Sequence, residues 1–228
     1  MCEQSIMRYS IVNGERCEAQ PGLSGLCQAC GRPSIAKCGE VKIWHWAHRG
    51  KRCDPWWENE TDWHRNWKSC FPSDWQESIH QDINGEKHIA DVKTAQDWVI
   101  EFQHSFLNPE ERRARNAFYK KLIWVIDGTR RPRDKKQFFE MMNDAGCLCV
   151  EPPVRVVSTY DCAPLNEWGG FHTPVFFDFG EESLYCLLPF FIGSRSYFVE
   201  FPRRLFIELH NRGTDQTDHT FARKGSSL

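Results

Sequence analysis

The chain has 228 residues, 40% hydrophobic and 26% charged, with a net charge of −2. That is the balance of a globular protein with room for one large domain, or for a small module beside a catalytic-sized one. It excludes a globally basic nucleic-acid binder, so any such surface has to be local, and no apolar run approaches the roughly 18 residues of a membrane span.

The opening stretch, MCEQSIMRYSIVNGER, lacks the apolar segment of a signal peptide, which points to the cytosol. Residues 1–20 are polar with one short apolar run, a leading strand. Residues 21–56 are rich in Cys, Gly, Trp and His and show little helical periodicity. The chain holds eleven cysteines, an odd number with no export signal, which reads as thiols, some on a metal, rather than a disulfide framework. Cys27 and Cys30 form a C-x-x-C knuckle, and Cys38, His45, His48 and Cys53 follow. Structural zinc takes four tetrahedral sulfur or nitrogen ligands, and C-x2-C-x17-H-x4-C supplies them as Cys27, Cys30, His48 and Cys53. In an extended WHWAH, His45 and His48 point to opposite faces. His48 is therefore taken as the ligand, with His45 and Cys38 in reserve. The expectation is an N-terminal zinc-binding module over residues 1–56, supplemented by the many tryptophans from Trp44 to Trp75. Trp44 and Trp46 serve there as core or as platforms for bases.

Residues 57–69, WENETDWHRNWKS, have helical spacing, and Pro72 lies beyond their end. Glu60, His64 and Lys68 share one face of that helix. The period then changes to two. WQESIHQDI and EKHIADV flank Asn84–Gly85, a hairpin signal, and DWVIEFQHSF follows. A three-residue loop of Ala95, Gln96 and Asp97 pairs Thr94 with Trp98 and sets Asp91 directly opposite Glu101. Opposed carboxylates, with Cβ atoms about 5 Å apart, repel unless a divalent cation sits between them. Hard oxygen ligands of this kind suit Mg²⁺ or Mn²⁺. Gln103 shares the face of Glu101, the carbonyl of Phe102 offers a third metal ligand, and Trp98, Ile100 and Phe102 face the core.

Pro109 precedes EERRARNAFYKKL, a helix with acidic residues first and basic residues last. Arg112, Arg115 and Tyr119 share a face of it. LIWVID, residues 122–127, is a buried central strand after a crossover helix. A basic linker, GTRRPRDKK, leads to a helix, QFFEMMNDAG, and a strand, CLCVE. Residues 57–150 thus read as an α/β domain with a mixed sheet. Residues 151–210 are a β-rich extension, either continuing that sheet or forming a separate appendage. Residues 211–228 are expected to be a disordered tail.

The pattern D-x9-E-x-Q on adjacent strands, followed by a helix, resembles the nuclease core of the PD-(D/E)xK superfamily. The longer string ADV…WVIEFQHS…R…Y…LIWVIDG, with CQAC…HWAH…E…H…WK upstream, resembles the competence protein CoiA-like family over roughly residues 25–128. The resemblance implies a restriction-endonuclease-like mixed sheet flanked by helices, and a metal-dependent nuclease acting on DNA in processing, recombination or uptake. Asp91, Glu101 and the Phe102 carbonyl would hold the Mg²⁺ or Mn²⁺. Glu60 would add a metal or water contact, and His64 a general base or phosphate contact. Gln103 stands where the superfamily usually has Lys, so Lys93, Lys120 or Lys121 is a candidate for the missing charge. Arg112, Arg115 and Tyr119 are similar to a Q-x-x-x-Y element, with Arg115 in place of Gln, and would contact nucleic acid. Arg130, Arg131, Arg133, Lys135 and Lys136 are a further basic run for a DNA backbone. The competing expectation is a catalytically inactive nuclease-fold protein serving as a binding accessory.

Overall fold

The computed structural model describes residues 6–48, 53–56, 60–169 and 172–212. The N-terminal part is a sheet of six short strands: β1 (Ile6–Met7), β2 (Tyr9–Val12), β3 (Glu15–Glu18), β4 (Ser24–Leu26), β5 (Pro33–Lys37) and β6 (His45–His48), in the order β1-β6-β5-β4-β2-β3. Its core is small, with Met7, Ala19, Cys27 and Trp46 buried together. Such a core supplies little stability alone, which is where a structural metal matters.

Helix α1 (Asp62–Lys68) follows. It is shorter than the expected 57–69. Thr61 caps it, accepting from the His64 N–H, and residues 57–59 lie outside the described residues.

The remaining strands form one nine-stranded mixed sheet. They are β7 (Gln76–Gln81), β8 (Lys87–Lys93), β9 (Val99–Gln103), β10 (Leu122–Asp127), β11 (Gly146–Val150), β12 (Pro153–Ser158), β13 (Val175–Asp178), β14 (Ser183–Ile192) and β15 (Arg195–Pro202). Their order is β11-β12-β15-β14-β13-β10-β9-β8-β7. Between them lie α2 (Pro109–Phe118), α3 (Pro132–Asp144), α4 (Ala163–Trp168) and, after β15, α5 (Arg203–Asn211).

Strand β10 is the apolar centre expected of LIWVID, buried at every position and parallel to both β9 and β13. Of the two arrangements left open for residues 151–210, the chain takes the first: β12 to β15 continue the same sheet. The stretch GTRRPRDKK is not all linker. Pro132 starts α3, its missing N–H falling where a helix has no partner for one, and Arg131 pairs with Asp134 in the first turn at 2.6 Å. Helices α4 and α5 were not expected. Phe206 of α5 is fully buried against Trp67 and Phe176.

Both faces of the sheet centre are apolar. Trp67, Phe71, Val92, Ile100, Phe102 and Val125 pack on one side. Val99, Tyr119, Leu122, Trp124 and Phe138 pack on the other. Asp178 docks α1 on the first of these. Its Oδ2 accepts from the indole N–H of Trp63 at 2.9 Å and of Trp67 at 2.8 Å, while Trp67 stacks on Phe102. That docking aims one face of α1 at the junction of β8 and β9.

No described helix is long and apolar enough to cross a membrane.

A candidate metal centre in a forked hairpin

The loop between β8 and β9 closes as its residues dictate. Thr94 N–H donates to the Trp98 carbonyl at 2.8 Å, and Trp98 N–H to Thr94 Oγ1 at 3.1 Å. The pairs Lys93–Val99 and Val92–Ile100 follow, and the same register sets Asp91 against Glu101. Regular pairing stops there and the strands splay. Phe102 N–H turns to Asp91 Oδ2 at 2.9 Å. The carboxylate takes a bond that a strand ladder would have supplied, and a small cavity of about 60 Å³ opens in the fork. A much larger open groove of about 920 Å³ lies between α3 and β12, but it lacks a comparable convergence of charged side chains.

Each carboxylate around the cavity is held differently. Glu101 is buried. Its Oε2 accepts from Arg115 at 2.8 Å, while its Oε1 is buried with no hydrogen-bond partner among the described residues. Burial, reinforced by the nearby Asp91, pushes its carboxyl up to about 8 against the pull of Arg115. Glu60 meets Lys68 Nζ at 2.5 Å through Oε1, and Arg65 through Oε2. Burial would raise its pKa, but Lys68 and Arg65 outweigh that and hold it at about 2. Lys68 is itself buried, 3.4 Å from Glu77 and 4.0 Å from Asp91. Burial favours its neutral form, yet Glu60, Glu77 and Asp91 together raise its pKa.

Glu77 is a member of this cluster that the sequence reading missed. The pairs on either side of it, Gln76–Val92 and Ser78–Ala90, place it opposite Asp91. Three carboxylates therefore stand in a row across β7, β8 and β9. Glu77 has φ +48°, in the region that favours glycine. Its oxygens accept from the N–H groups of Arg8 (2.7 Å) and Tyr9 (3.1 Å), tying the small sheet to the large one. Burial raises its pKa.

The other expected residues fall in several places. His64 reaches the site but is engaged at both nitrogens. Thr61 donates to Nδ1 at 3.0 Å, and Nε2 donates to the Phe102 carbonyl at 2.7 Å. An imidazole with both nitrogens bound inside the protein acts as a clamp, which corrects the general-base expectation, and the Phe102 carbonyl, expected as a third metal ligand, accepts from His64 while Phe102 still lines the cavity. Gln103 is buried beyond the cavity lining, with its amide N–H directed at the Ser105 carbonyl at 3.2 Å. Lys93 pairs with Asp97 on the surface, and Lys121 holds the Gln96 carbonyl. The positive charge lining the cavity comes from Lys68 and Arg115 instead.

The expected nucleic-acid face of α2 is also corrected. Arg112 is buried, donates to the Glu167 carbonyl and lies over the Trp168 ring. Tyr119 packs in the core. Arg115 joins the site, gripping Glu101, Glu111 and the Trp56 carbonyl. The face is buried because its apolar stems and ring cover the sheet. In the basic run, Arg130 and Arg131 are paired with Glu167.

A second centre lies in the small sheet. Cys27, Cys30, His48 and Cys53 each present a ligand atom, all within 4.8 Å of one another. Cys27 and Cys53 stand 3.8 Å apart sulfur to sulfur, and His48 Nε2 lies 3.8 Å from Cys30 Sγ and 3.2 Å from Cys53 Sγ. Four ligands at about 2.3 Å from a tetrahedral zinc stand roughly 3.8 Å apart, so the donor set fits. The knuckle folds locally: Gly31 N–H donates to the Cys27 carbonyl at 2.9 Å, with Gly31 at φ +68°. The cluster could hold a structural zinc. His45 lies outside it, bonded to the Ile43 carbonyl, and Cys38 packs in the small core. Trp46 is fully buried, whereas Trp44 is 47% exposed. The Trp44 carbonyl accepts from Arg65, which also holds Glu60.

Comparison of the chain with protein-family models, with curated proteins and with solved structures gives no match. The functional reading therefore rests on the geometry and on the sequence resemblance.

Proposed function

We propose that the chain is a metal-dependent DNA nuclease of the CoiA-like type, with a restriction-endonuclease-like core over β7–β10, α1 and α2, and a structural zinc in its N-terminal module. The observation that carries this reading is the fork itself: Asp91 and Glu101 opposed where two strands part, with Glu101 Oε1 buried and unpartnered among the described residues. An arrangement this unfavourable for the empty protein is understandable as a seat for a hard cation.

A divalent ion bound there would lower the pKa of a coordinated water and neutralise charge on the scissile phosphate. The side chains have separate tasks. Asp91 and Glu101 would hold the ion. Arg115 fixes the orientation of Glu101. Lys68 brings a fixed ammonium beside Asp91, the charge that Gln103 lacks, where it stabilises negative charge developing on the phosphoryl oxygens. His64 pins the Phe102 carbonyl and so the geometry of the fork. Trp44, half-exposed and tied through its carbonyl to Arg65, which holds Glu60, offers a ring on which a base can stack.

The alternative, an inactive nuclease fold that only binds nucleic acid, draws on Gln103 being turned toward Ser105. One assay separates the two. Linear, circular and single-stranded DNA are incubated with the protein in Mg²⁺, Mn²⁺ or EDTA, using wild type, Asp91→Ala and Glu101→Ala. Divalent-dependent cleavage by wild type alone supports the nuclease. Cleavage surviving both substitutions refutes the site, and retention of DNA without cleavage favours the accessory reading.

A further inference from the structure

Resting on that reading, we infer that the centre takes a single divalent ion, because the Lys68 ammonium already occupies the place a second ion would need.

The argument follows the carboxylate oxygens around the cavity one at a time. Glu60 Oε1 has no aligned hydrogen bond among the described residues but is held in an ion pair by Lys68 Nζ at 2.5 Å, and its Oε2 accepts from Arg65 at 3.1 Å. Glu77 has both engaged, Oε1 by Arg8 N–H and Lys68, and Oε2 by Tyr9 N–H. Asp91 gives Oδ2 to Phe102 N–H, and Glu101 gives Oε2 to Arg115. Two oxygens remain. Asp91 Oδ1 lies 4.0 Å from Lys68 Nζ, too long for a hydrogen bond. Glu101 Oε1 has no partner among the described residues. There is one from each opposed strand, the number that one octahedral ion takes from protein when water and phosphate fill its other positions.

A two-ion site needs a second cation about 3.5–4 Å from the first, with a carboxylate of its own. The carboxylates on the far side of Asp91 are Glu60 and Glu77, and Lys68 sits between them with its single positive charge. A divalent ion there would have to displace a buried ammonium held by three acids. Lys68 therefore serves the second ion's electrostatic role without its coordination chemistry.

The test counts ions rather than products. Full-length protein with its zinc retained is titrated with Mn²⁺, and free Mn²⁺ is followed by electron paramagnetic resonance. The inference expects one Mn²⁺ per chain, with none bound at comparable affinity in Asp91→Ala. It also expects no spin-coupled pair signal, with or without a DNA oligonucleotide carrying non-cleavable phosphorothioate linkages. Lys68→Gln, if folded by circular dichroism, gains a second Mn²⁺. Two tight Mn²⁺ ions in wild type, or a coupled pair signal, would overturn the inference. One ion bound by a protein that cuts no DNA would refute the nuclease reading and leave the stoichiometry standing. No ion bound at all would end both.

Discussion

Replacing Glu101 with Gln is expected to stabilise the metal-free protein. Its carboxyl is pushed from an ordinary 4.5 to about 8 by burial and by Asp91. A group whose folded-state pKa is raised contributes most to stability below its unfolded value, and that contribution is lost as pH rises through the folded value. Each pH unit between 4.5 and 8 costs about 1.4 kcal/mol, so by pH 7 holding Glu101 protonated in the fold, against a free carboxylate in the unfolded chain, costs roughly 3 kcal/mol. Glutamine keeps the shape and does not ionise. The loss of the Arg115 ion pair offsets part of the gain, although Arg115 keeps Glu111 and the Trp56 carbonyl. For a chain of this size 1 kcal/mol shifts Tm by about 2–4 °C, so Glu101→Gln should melt roughly 3–10 °C above wild type at pH 7.5 in EDTA. The two should melt together near pH 4.5. The assay is thermal unfolding by circular dichroism from pH 4.5 to 8.5. Added Mg²⁺ should raise wild type and leave the variant unchanged. A variant less stable than wild type at pH 8, or a difference that does not grow with pH, would refute the reasoning.

Lys68→Met leaves Glu60 and Glu77 buried without their ammonium. Breaking a buried pair costs about 3–5 kcal/mol, so thermal unfolding should fall by roughly 6–20 °C; a fall under about 1 °C would show that the ion pair does not form. Glu60 is held at about 2 by Lys68 and Arg65 after burial is overcome, so its contribution is present above 4.5 and lost as pH falls toward 2. Glu60→Gln should flatten that acid limb in a pH-resolved melt. Elemental analysis should find about one zinc per chain, lost in Cys27→Ser together with a fall in Tm, and zinc unchanged in that variant would exclude the cluster as its site.

The opposition of Asp91 and Glu101 was legible because it depends on local geometry. Thr94 and Trp98 close a loop of known length, and period two does the rest. The cluster of Cys27, Cys30, His48 and Cys53 was legible for the same reason, since a knuckle and two spaced donors are short-range features. What could not be read was docking. Lys68 was visible on the helix face of Glu60 and His64, but only the clamp of Trp63 and Trp67 on Asp178, over a hundred residues away, aims that face at the fork. Arg115 has the sequence of an exposed basic helix, and its burial against Glu101 depends on α2 crossing the sheet. Glu77 sits in an alternating strand with no mark of its role. Its one signal was parity, which places it opposite Asp91, and its positive φ is invisible in a glutamate.

The central claim is tested most directly by single-turnover cleavage of DNA in Mg²⁺, comparing wild type with Asp91→Asn after both are shown to be equally folded. Loss of a charged ligand from the seat should slow cleavage on the order of 100-fold or more, and EDTA should abolish the wild-type reaction. Cleavage by Asp91→Asn at the wild-type rate, or wild-type cleavage that persists in EDTA, would contradict the account.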